Sequence, residues 1–309
     1  MRLLWALGLF SALLHVTSCL WIGAFNIQNF GPKKSQNKVV METIKKIVLR
    51  YDIILIQGLQ DEDLQVTKRL KALVNKDSPH HFSNIVSEPL PLGSSIFQFL
   101  SHKERYLFLY KKETVSVKGS FQYTGKGFKR PPFVVKFSST ETDVKEFVLI
   151  PIHTKPGTAV KEIDALVDVV KKAKLKWNNN NIMVLGDFNA DGKHVKAGDW
   201  KKIRLFDTNK NFHSLINDDV ATTMVDSQQV HDRIVVSNEM YPRVVAGSAK
   251  VFNFREEYGL GDQAEKISDH FPVEVELKPQ VEPAPAPAPD QPDQPEDPEQ
   301  PEDPEQPEA

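Results

Sequence analysis

The stretch Leu185-Gly186-Asp187-Phe188-Asn189-Ala190, entered from the apolar run Ile182 to Leu185, decides how the rest of the chain is read. A short apolar run ending in glycine and polar residues predicts a buried strand. Asp187 and Asn189 then leave its end with both side chains free to meet a divalent cation and a phosphate, the grammar of a metal-dependent phosphodiesterase. An Asp-Asn pair after a strand is also ordinary turn chemistry, so its meaning depends on company. Three more polar clusters stand at predicted strand ends: Phe25-Asn26-Ile27, Ile152-His153-Thr154 and Ser268-Asp269-His270.

Outward from this stretch, short apolar strands alternate with amphipathic helices. Leu20 to Ile27 reads as a strand, and Val39, Val40, Ile44, Ile47 and Val48 recur at helical spacing. Asp52 to Gln57 is a continuous apolar strand ending at Gly58, and Leu64, Leu70 and Leu73 suggest a second helix. Strand-like runs follow at His81 to Val86, Tyr106 to Tyr110, Thr114 to Val117, Phe133 to Phe137 and Glu146 to Ile152. Val160, Ile163, Val167 and Val170 mark a helix that ends near Trp177, with Asn178 to Asn181 as its breaker. The second half gives the strand Ile182 to Leu185, a helix around Trp200, and strands Arg233 to Val236 and Val273 to Leu277, with Pro272 placed in the last. The pattern predicts an α+β fold, a four-layer α/β/β/α sandwich of two packed mixed sheets covered by helices.

The 309 residues, 40% hydrophobic and 26% charged, can bury one large core. Residues 1–19 carry Arg2, an apolar stretch from Leu3 to Val16 and then Thr17-Ser18-Cys19, the order of a cleaved secretory signal. That stretch is shorter than the about 20 apolar residues of a membrane helix, and no second such run follows. The expectation is a protein secreted or in the secretory lumen, without a membrane span. Val16-Thr17-Ser18-Cys19 also loosely fits a bacterial lipoprotein cleavage pattern. Cys19 is the only cysteine, so the mature chain forms no intramolecular disulfide, against the habit of secreted proteins.

Residues 20–280 form the predicted folded domain. Residues 281–309 hold ten prolines and ten acids with no Lys or Arg, and are expected to be disordered and partly polyproline II. Within 20–280 there are 38 basic against 31 acidic side chains. A basic body with an acidic tail favours a polyanionic partner at the body, although net charge alone suits solubility equally.

Phosphodiester hydrolysis needs charge neutralisation on the non-bridging oxygens, an activated water and a proton for the leaving oxygen. In order along the chain stand Asn26 in Ala24-Phe25-Asn26-Ile27, Glu104 in Lys103-Glu104-Arg105-Tyr106, His153, Asp187 and Asn189, Asp232 in Asp232-Arg233-Ile234-Val235-Val236, and Asp269 and His270 in Ile267-Ser268-Asp269-His270-Phe271-Pro272. Together they resemble the pancreatic-type deoxyribonuclease (DNase I) family and its secreted relatives, from about Leu20 to Lys278. Ser87-Glu88-Pro89 and Val135-Lys136-Phe137-Ser138 extend the likeness outside the site. The resemblance implies the endonuclease/exonuclease/phosphatase fold and cleavage of DNA to 5′-phosphate ends. It further implies catalytic pairs Glu104–His153 and Asp232–His270, Mg2+ and phosphate held by Asn26, Asp187, Asn189 and Asp269, and a DNA-backbone contact by Arg130. For Arg130 a solvated loop charge is the equal alternative.

The family's strand corresponding to Ile53 to Gln57 ends in Gln-Glu, whose glutamate ligates the metal; here it is Gln57-Gly58. Losing a carboxylate lowers the expected Mg2+ affinity and rate, since Mg2+ binds through few carboxylates. Asp61, Glu62 and Asp63 follow closely but are not expected to replace it. Gly192 and Gln229 stand at the family's disulfide positions, Ala221 at a calcium aspartate, and Thr124 to Phe128 lacks the acids of a calcium loop, so Ca2+ sites look weakened. The apolar stretch Leu90 to Leu100 borders the DNA surface as a loop difference. Three readings follow: a weakened endonuclease acting as a monomer on DNA, a catalytically impaired DNA-binding pseudo-nuclease, and a phosphoesterase of the same fold with a non-nucleic-acid substrate. The residues read neither for nor against actin.

Overall fold

Alternation along single strands dictates the layering. In the computed structural model, which describes residues 19–90, 103–206, 211–224 and 230–280, the chain runs β1 (Leu20–Phe30), α1 (Lys38–Val48), β2 (Ile53–Gln60), α2 (Gln65–Asp77), β3 (Phe82–Val86), β4 (Glu104–Lys111), β5 (Val115–Gln122), β6 (Phe133–Ser139), β7 (Glu146–His153), α3 (Ala159–Trp177), β8 (Ile182–Asp187), β9 (Phe212–Ser214), β10 (Asp232–Ser237), β11 (Lys250–Val251), α4 (Phe254–Glu257) and β12 (Val273–Leu277). In β1, Leu20, Ile22 and Ala24 join a core between the sheets, while Phe25 and Ile27 point the other way into a core shared with α1 and α2. In β8, Met183 and Leu185 face the inter-sheet core, and Ile182 and Val184 face α3. A period of two with both faces covered is why these strands read as unbroken apolar runs.

Two six-stranded sheets result, ordered β11-β12-β1-β2-β4-β3 and β5-β6-β7-β8-β10-β9. Each is mixed: β1 pairs β2 and β7 pairs β8 in parallel, and the other neighbours are antiparallel. Helices cover both outer faces, so the four-layer α/β/β/α sandwich is present. Asn37 opens α1 by accepting the backbone N–H of Val39 and Val40, satisfying donors that the helix cannot. Val39 itself is exposed, outside the apolar face to which its spacing assigned it.

The structure corrects several local expectations. β2 does not stop at Gly58 but continues to Gln60, with irregular pairing between Ile56 and Leu59. Around Trp200 there are only 3-10 turns, Trp200–Lys202 and Arg204–Phe206. A segment that short does not repay helix nucleation, and ion pairs of Arg204 to Asp164 and Asp168 pin it to α3 instead. Pro272 precedes the last strand rather than lying in it. The short β9, β11 and α4 carry too few residues to show a period. Residues 1–18 of the expected signal segment 1–19, the acidic tail (281–309), Gln229 and most of the apolar stretch before Glu104 (91–100) lie outside the described residues. Among the described residues no helix is long and apolar enough to cross a membrane.

Candidate active site

Register brings the predicted residues to one end of the sandwich. Along β7 and β8, His153 stands beside Asp187; along β8 and β10, Asp187 stands opposite Asp232; along β1 and β2, Asn26 stands beside Gln57. The two sheets are then joined by buried polar contacts. Gln57, wholly inaccessible to solvent, donates Nε2 to the carbonyl of Ile152 and accepts the N–H of Asp187 at 3.2 Å. Asn26 Nδ2 donates to Asp187 Oδ2 at 2.9 Å. Gly186 makes this approach feasible: its φ is +123°, and a Cβ there would lie 2.5 Å from the Ile152 carbonyl oxygen and 2.7 Å from the Gln57 amide. The Ser268–His270 turn is fastened to β1, since Ser268 Oγ donates to the Asn26 carbonyl at 2.7 Å and accepts the N–H of His270 at 3.0 Å.

Two acid–histidine pairs face each other across Asp187. His153 Nδ1 lies 2.9 Å from Glu104 Oε2, and His270 Nδ1 lies 2.7 Å from Asp232 Oδ2. The remaining ring nitrogens converge, with Nε2 of His153 3.5 Å and Nε2 of His270 3.8 Å from Asp187 Oδ2. All predicted site residues except Asp232 line one cleft of about 510 Å³, together with Gly58, Arg130, Lys129 and Lys155. Asp232, 1% exposed, stands behind His270.

Charge in this cleft is set by burial and by partners. Burial pushes the Glu104 carboxyl up, but the neighbouring His153 and Arg130 outweigh it and hold the pKa at about 2. Burial pushes His270 down, and the carboxylates of Asp232 and Asp187 outweigh that, lifting it to about 10. Burial raises Asp232 as well. The pair therefore holds one proton between them, and His270, with further carboxylates near, is where it rests.

Some expectations change in detail. Asp187 and Asn189 are not both free: Asp187 also accepts the Asn189 N–H at 2.8 Å, and Asn189 Nδ2 donates to the Thr154 carbonyl at 3.0 Å. Arg130 is no loose loop charge. Its Nη2 donates to Glu104 Oε1 at 3.0 Å and its Nε lies 3.0 Å from Oε2, the oxygen that His153 also meets, so it holds Glu104 while still lining the cleft. The contacts of His153 Nδ1 and Arg130 Nε with Glu104 are close but are not well-aligned hydrogen bonds. Asp61 cannot stand in for a ligand at position 58. It caps α2, accepting the N–H groups of Val66 and Thr67 and the Thr67 hydroxyl.

Oxygen donors suited to a divalent cation are present. Asn26 Oδ1 and Asp269 Oδ1 are buried atoms without a hydrogen-bond partner, and both residues line the cleft beside Asp187. Buried polar atoms are nearly always paired, so these two fit a cation of hard character. Ligand atoms of Asp187, Asp232 and His270 also lie within 4.8 Å of one another. Asp232 Oδ2 and His270 Nδ1 are paired with each other, whereas Asp232 Oδ1 is a further buried oxygen without a partner, and Asp187 belongs to both groupings.

Sequence reasoning missed Gln57 and Tyr106. The Tyr106 hydroxyl accepts the His153 N–H at 2.9 Å and so fixes the strand end that carries the imidazole. Gln57 left a signal, being the one polar residue in Ile53-Ile54-Leu55-Ile56-Gln57.

Two packed mixed sheets with opposed acid–histidine pairs at one end define a phosphoester hydrolase of the endonuclease/exonuclease/phosphatase class, and the model of the Endonuclease/Exonuclease/phosphatase family matches residues 23–270. Deoxyribonuclease-1 of Homo sapiens is 42% identical over 287 residues, covering 90% of this chain and 99% of the relative. Deoxyribonuclease-1-like 2 of Mus musculus is 44% identical over 278 residues, covering 89% and 95%. The chain belongs to the deoxyribonuclease-1 family. At the level of fold alone, the human Nocturnin catalytic domain, solved with a bound sulfate anion, superposes with a TM-score of 0.56 at 12% identity, covering 85% of this chain and 95% of that one.

Proposed function

We propose that this chain is a secreted, monomeric, Mg2+-dependent endonuclease that hydrolyses DNA phosphodiester bonds and leaves 5′-phosphate ends. The observation that carries the reading is the approach of two imidazoles, each backed by its own carboxylate, to the same Asp187 oxygen at 3.5 and 3.8 Å. The 42% identity to a protein named deoxyribonuclease-1 and the basic surplus of residues 20–280 support DNA as substrate.

A phosphodiester seated between His153 and His270 meets a proton acceptor on one side and a donor on the other. Water attacks phosphorus, its proton passes to one imidazole Nε2, the P–O3′ bond breaks and the 3′ oxygen takes a proton from the other Nε2. Asp232 fixes the tautomer and orientation of the His270 ring through Nδ1, and Glu104, 2.9 Å from His153 Nδ1, orients the other ring. Asn26, Asp187, Asn189 and Asp269 would hold the cation, which when bound neutralises charge on the non-bridging oxygens. Arg130 holds Glu104 and contributes positive charge to the cleft. Gly58 supplies no ligand, so affinity for Mg2+ and turnover are expected to lie below those of a site with a carboxylate there. The calcium positions, Ala221 and the acid-free turn 124–128, support little structural Ca2+.

Nicking of supercoiled plasmid by purified protein tests this. Mg2+-dependent cutting that stops with chelator and is lost in His153→Ala supports the reading. Duplex binding without cutting would favour the pseudo-nuclease, a reading that the missing carboxylate at Gly58 keeps in play. Release of phosphate from small monoesters with plasmid left intact would move the substrate outside nucleic acid.

A further inference from the structure

Glu162, in the first turn of α3, is wholly buried, an expensive place for a carboxylate unless its oxygens are hydrogen-bonded. Its donors come from two separate loops. Oε2 accepts the backbone N–H of Lys129 at 3.1 Å; Oε1 accepts that of Lys155 at 3.1 Å and the Thr158 hydroxyl. Lys129 belongs to the loop before β6, next to Arg130, and Lys155 follows the β7 end that carries His153. Both lysines line the cleft beside the two histidines. One buried carboxylate thus ties two cationic loops at the mouth of the site, which are otherwise joined directly by a pair of long contacts, 3.5 Å each, from Arg130 Nη1 to the carbonyls of His153 and Thr154.

We infer that Glu162 is a positioning residue: it fixes Lys129 and Lys155 as a cationic rim that grips DNA backbone phosphates on either side of the scissile bond. This rests on the nuclease reading above. Lysines on untethered loops would still attract a polyanion, but only a fixed spacing presents them in register with the phosphates while His153 and His270 address the bond between. A glutamine at 162 keeps the shape but turns an NH2 group toward one of the two backbone N–H donors, so one loop is released.

The test measures duplex binding by fluorescence anisotropy across a salt series in the His153→Ala background, and steady-state cutting in the parent background. Each backbone phosphate contact contributes about 0.9 to the slope of log K against log salt. Glu162→Gln is expected to lower that slope by about one and to raise KM for duplex DNA at least fivefold, with kcat changed by less than twofold. An unchanged slope, or a loss confined to kcat, overturns the assignment. Should Glu162→Gln fail to fold, Lys129→Ala with Lys155→Ala removes the rim at solvent-accessible positions. A slope lower by about two then supports the rim, and an unchanged slope sinks it. Because binding is read without catalysis, a parent that binds but does not cut refutes the nuclease reading while the slopes still judge the rim.

Discussion

Replacing Gly58 probes the departure that matters most for this site. Its φ of +69° places it in the left-handed region, which costs an ordinary residue about 1–2 kcal/mol. A Cβ built there would stand 2.6 Å from the Ile27 carbonyl oxygen and 2.8 Å from Asn26 Oδ1. The first is backbone of a central strand and cannot swing aside, so overpacking adds about 1–3 kcal/mol. Gly58→Ala should therefore lose about 2–5 kcal/mol, which at about 2–4 °C per kcal/mol for a domain of this size is a fall in Tm of about 4–20 °C. Gly58→Glu should lose as much in EDTA, since the clash comes from Cβ. The two variants should then separate on adding Mg2+: a returned carboxylate ligand stabilises the glutamate protein by RT ln(1 + [Mg2+]/Kd), and alanine has nothing to offer. Thermal and urea melts in EDTA and across a Mg2+ series measure both effects. A Gly58→Ala protein within about 0.5 kcal/mol of the parent would refute the backbone part, and equal Mg2+ responses of the two variants would refute the ligand part.

Three other outcomes follow from the same geometry. His153→Ala and His270→Ala should each lower plasmid nicking by about 10²–10⁴-fold, the range of a lost general acid or base, and a loss under tenfold in either would deny that ring a place in the reaction. The Glu104 pKa, lowered to about 2, gives stability that is present above the ordinary value of 4.5 and lost as pH falls through about 2. That share is about 3 kcal/mol, so Glu104→Gln should flatten the acid limb of a stability–pH curve between these values, and an unaltered limb would contradict the ion-paired Glu104. Ca2+ in place of EDTA should move Tm by less than about 2 °C, because Ala221 and the acid-free 124–128 turn offer few ligands, and a rise of several degrees would reveal a calcium site.

The sandwich was legible because its strands are buried on both faces: runs such as Ile53 to Ile56 and Ile182 to Leu185 announce themselves without a partner. Site residues were legible as a set and not singly. Nothing local in Lys103-Glu104-Arg105 or His231-Asp232-Arg233 says that each carboxylate meets an imidazole 49 or 38 positions later, and ordered resemblance supplied what spacing could not. The path of β2 through Gly58 escaped because glycine after an apolar run is the usual stop signal, whereas here its positive φ lets the strand kink and resume. Likewise the sequence left Arg130 open between a DNA-backbone contact and a solvated loop charge and did not show its ion pair, since the partner Glu104 sits on β4 of the other sheet.

That last contact points to how the site is assembled. Asn26, Gln57 and Glu104 belong to one sheet, and His153, Asp187 and Asp232 to the other, so neither sheet alone contains a complete acid–histidine pair around Glu104 or the Asn26–Asp187 contact. Gln57 and Gly186 set the separation: the amide spans from β2 to the β7 and β8 backbones only because position 186 has no side chain in the way. Catalytic geometry is thereby tied to closure of the inter-sheet core, in which Leu55, Leu149 and Leu185 pack without solvent. A change that lets the sheets separate, even far from the cleft, therefore moves His153 away from Glu104. The Gln57 amide shares the task of holding them together with the Asn26–Asp187 and Tyr106–His153 hydrogen bonds, which cross between the same two sheets.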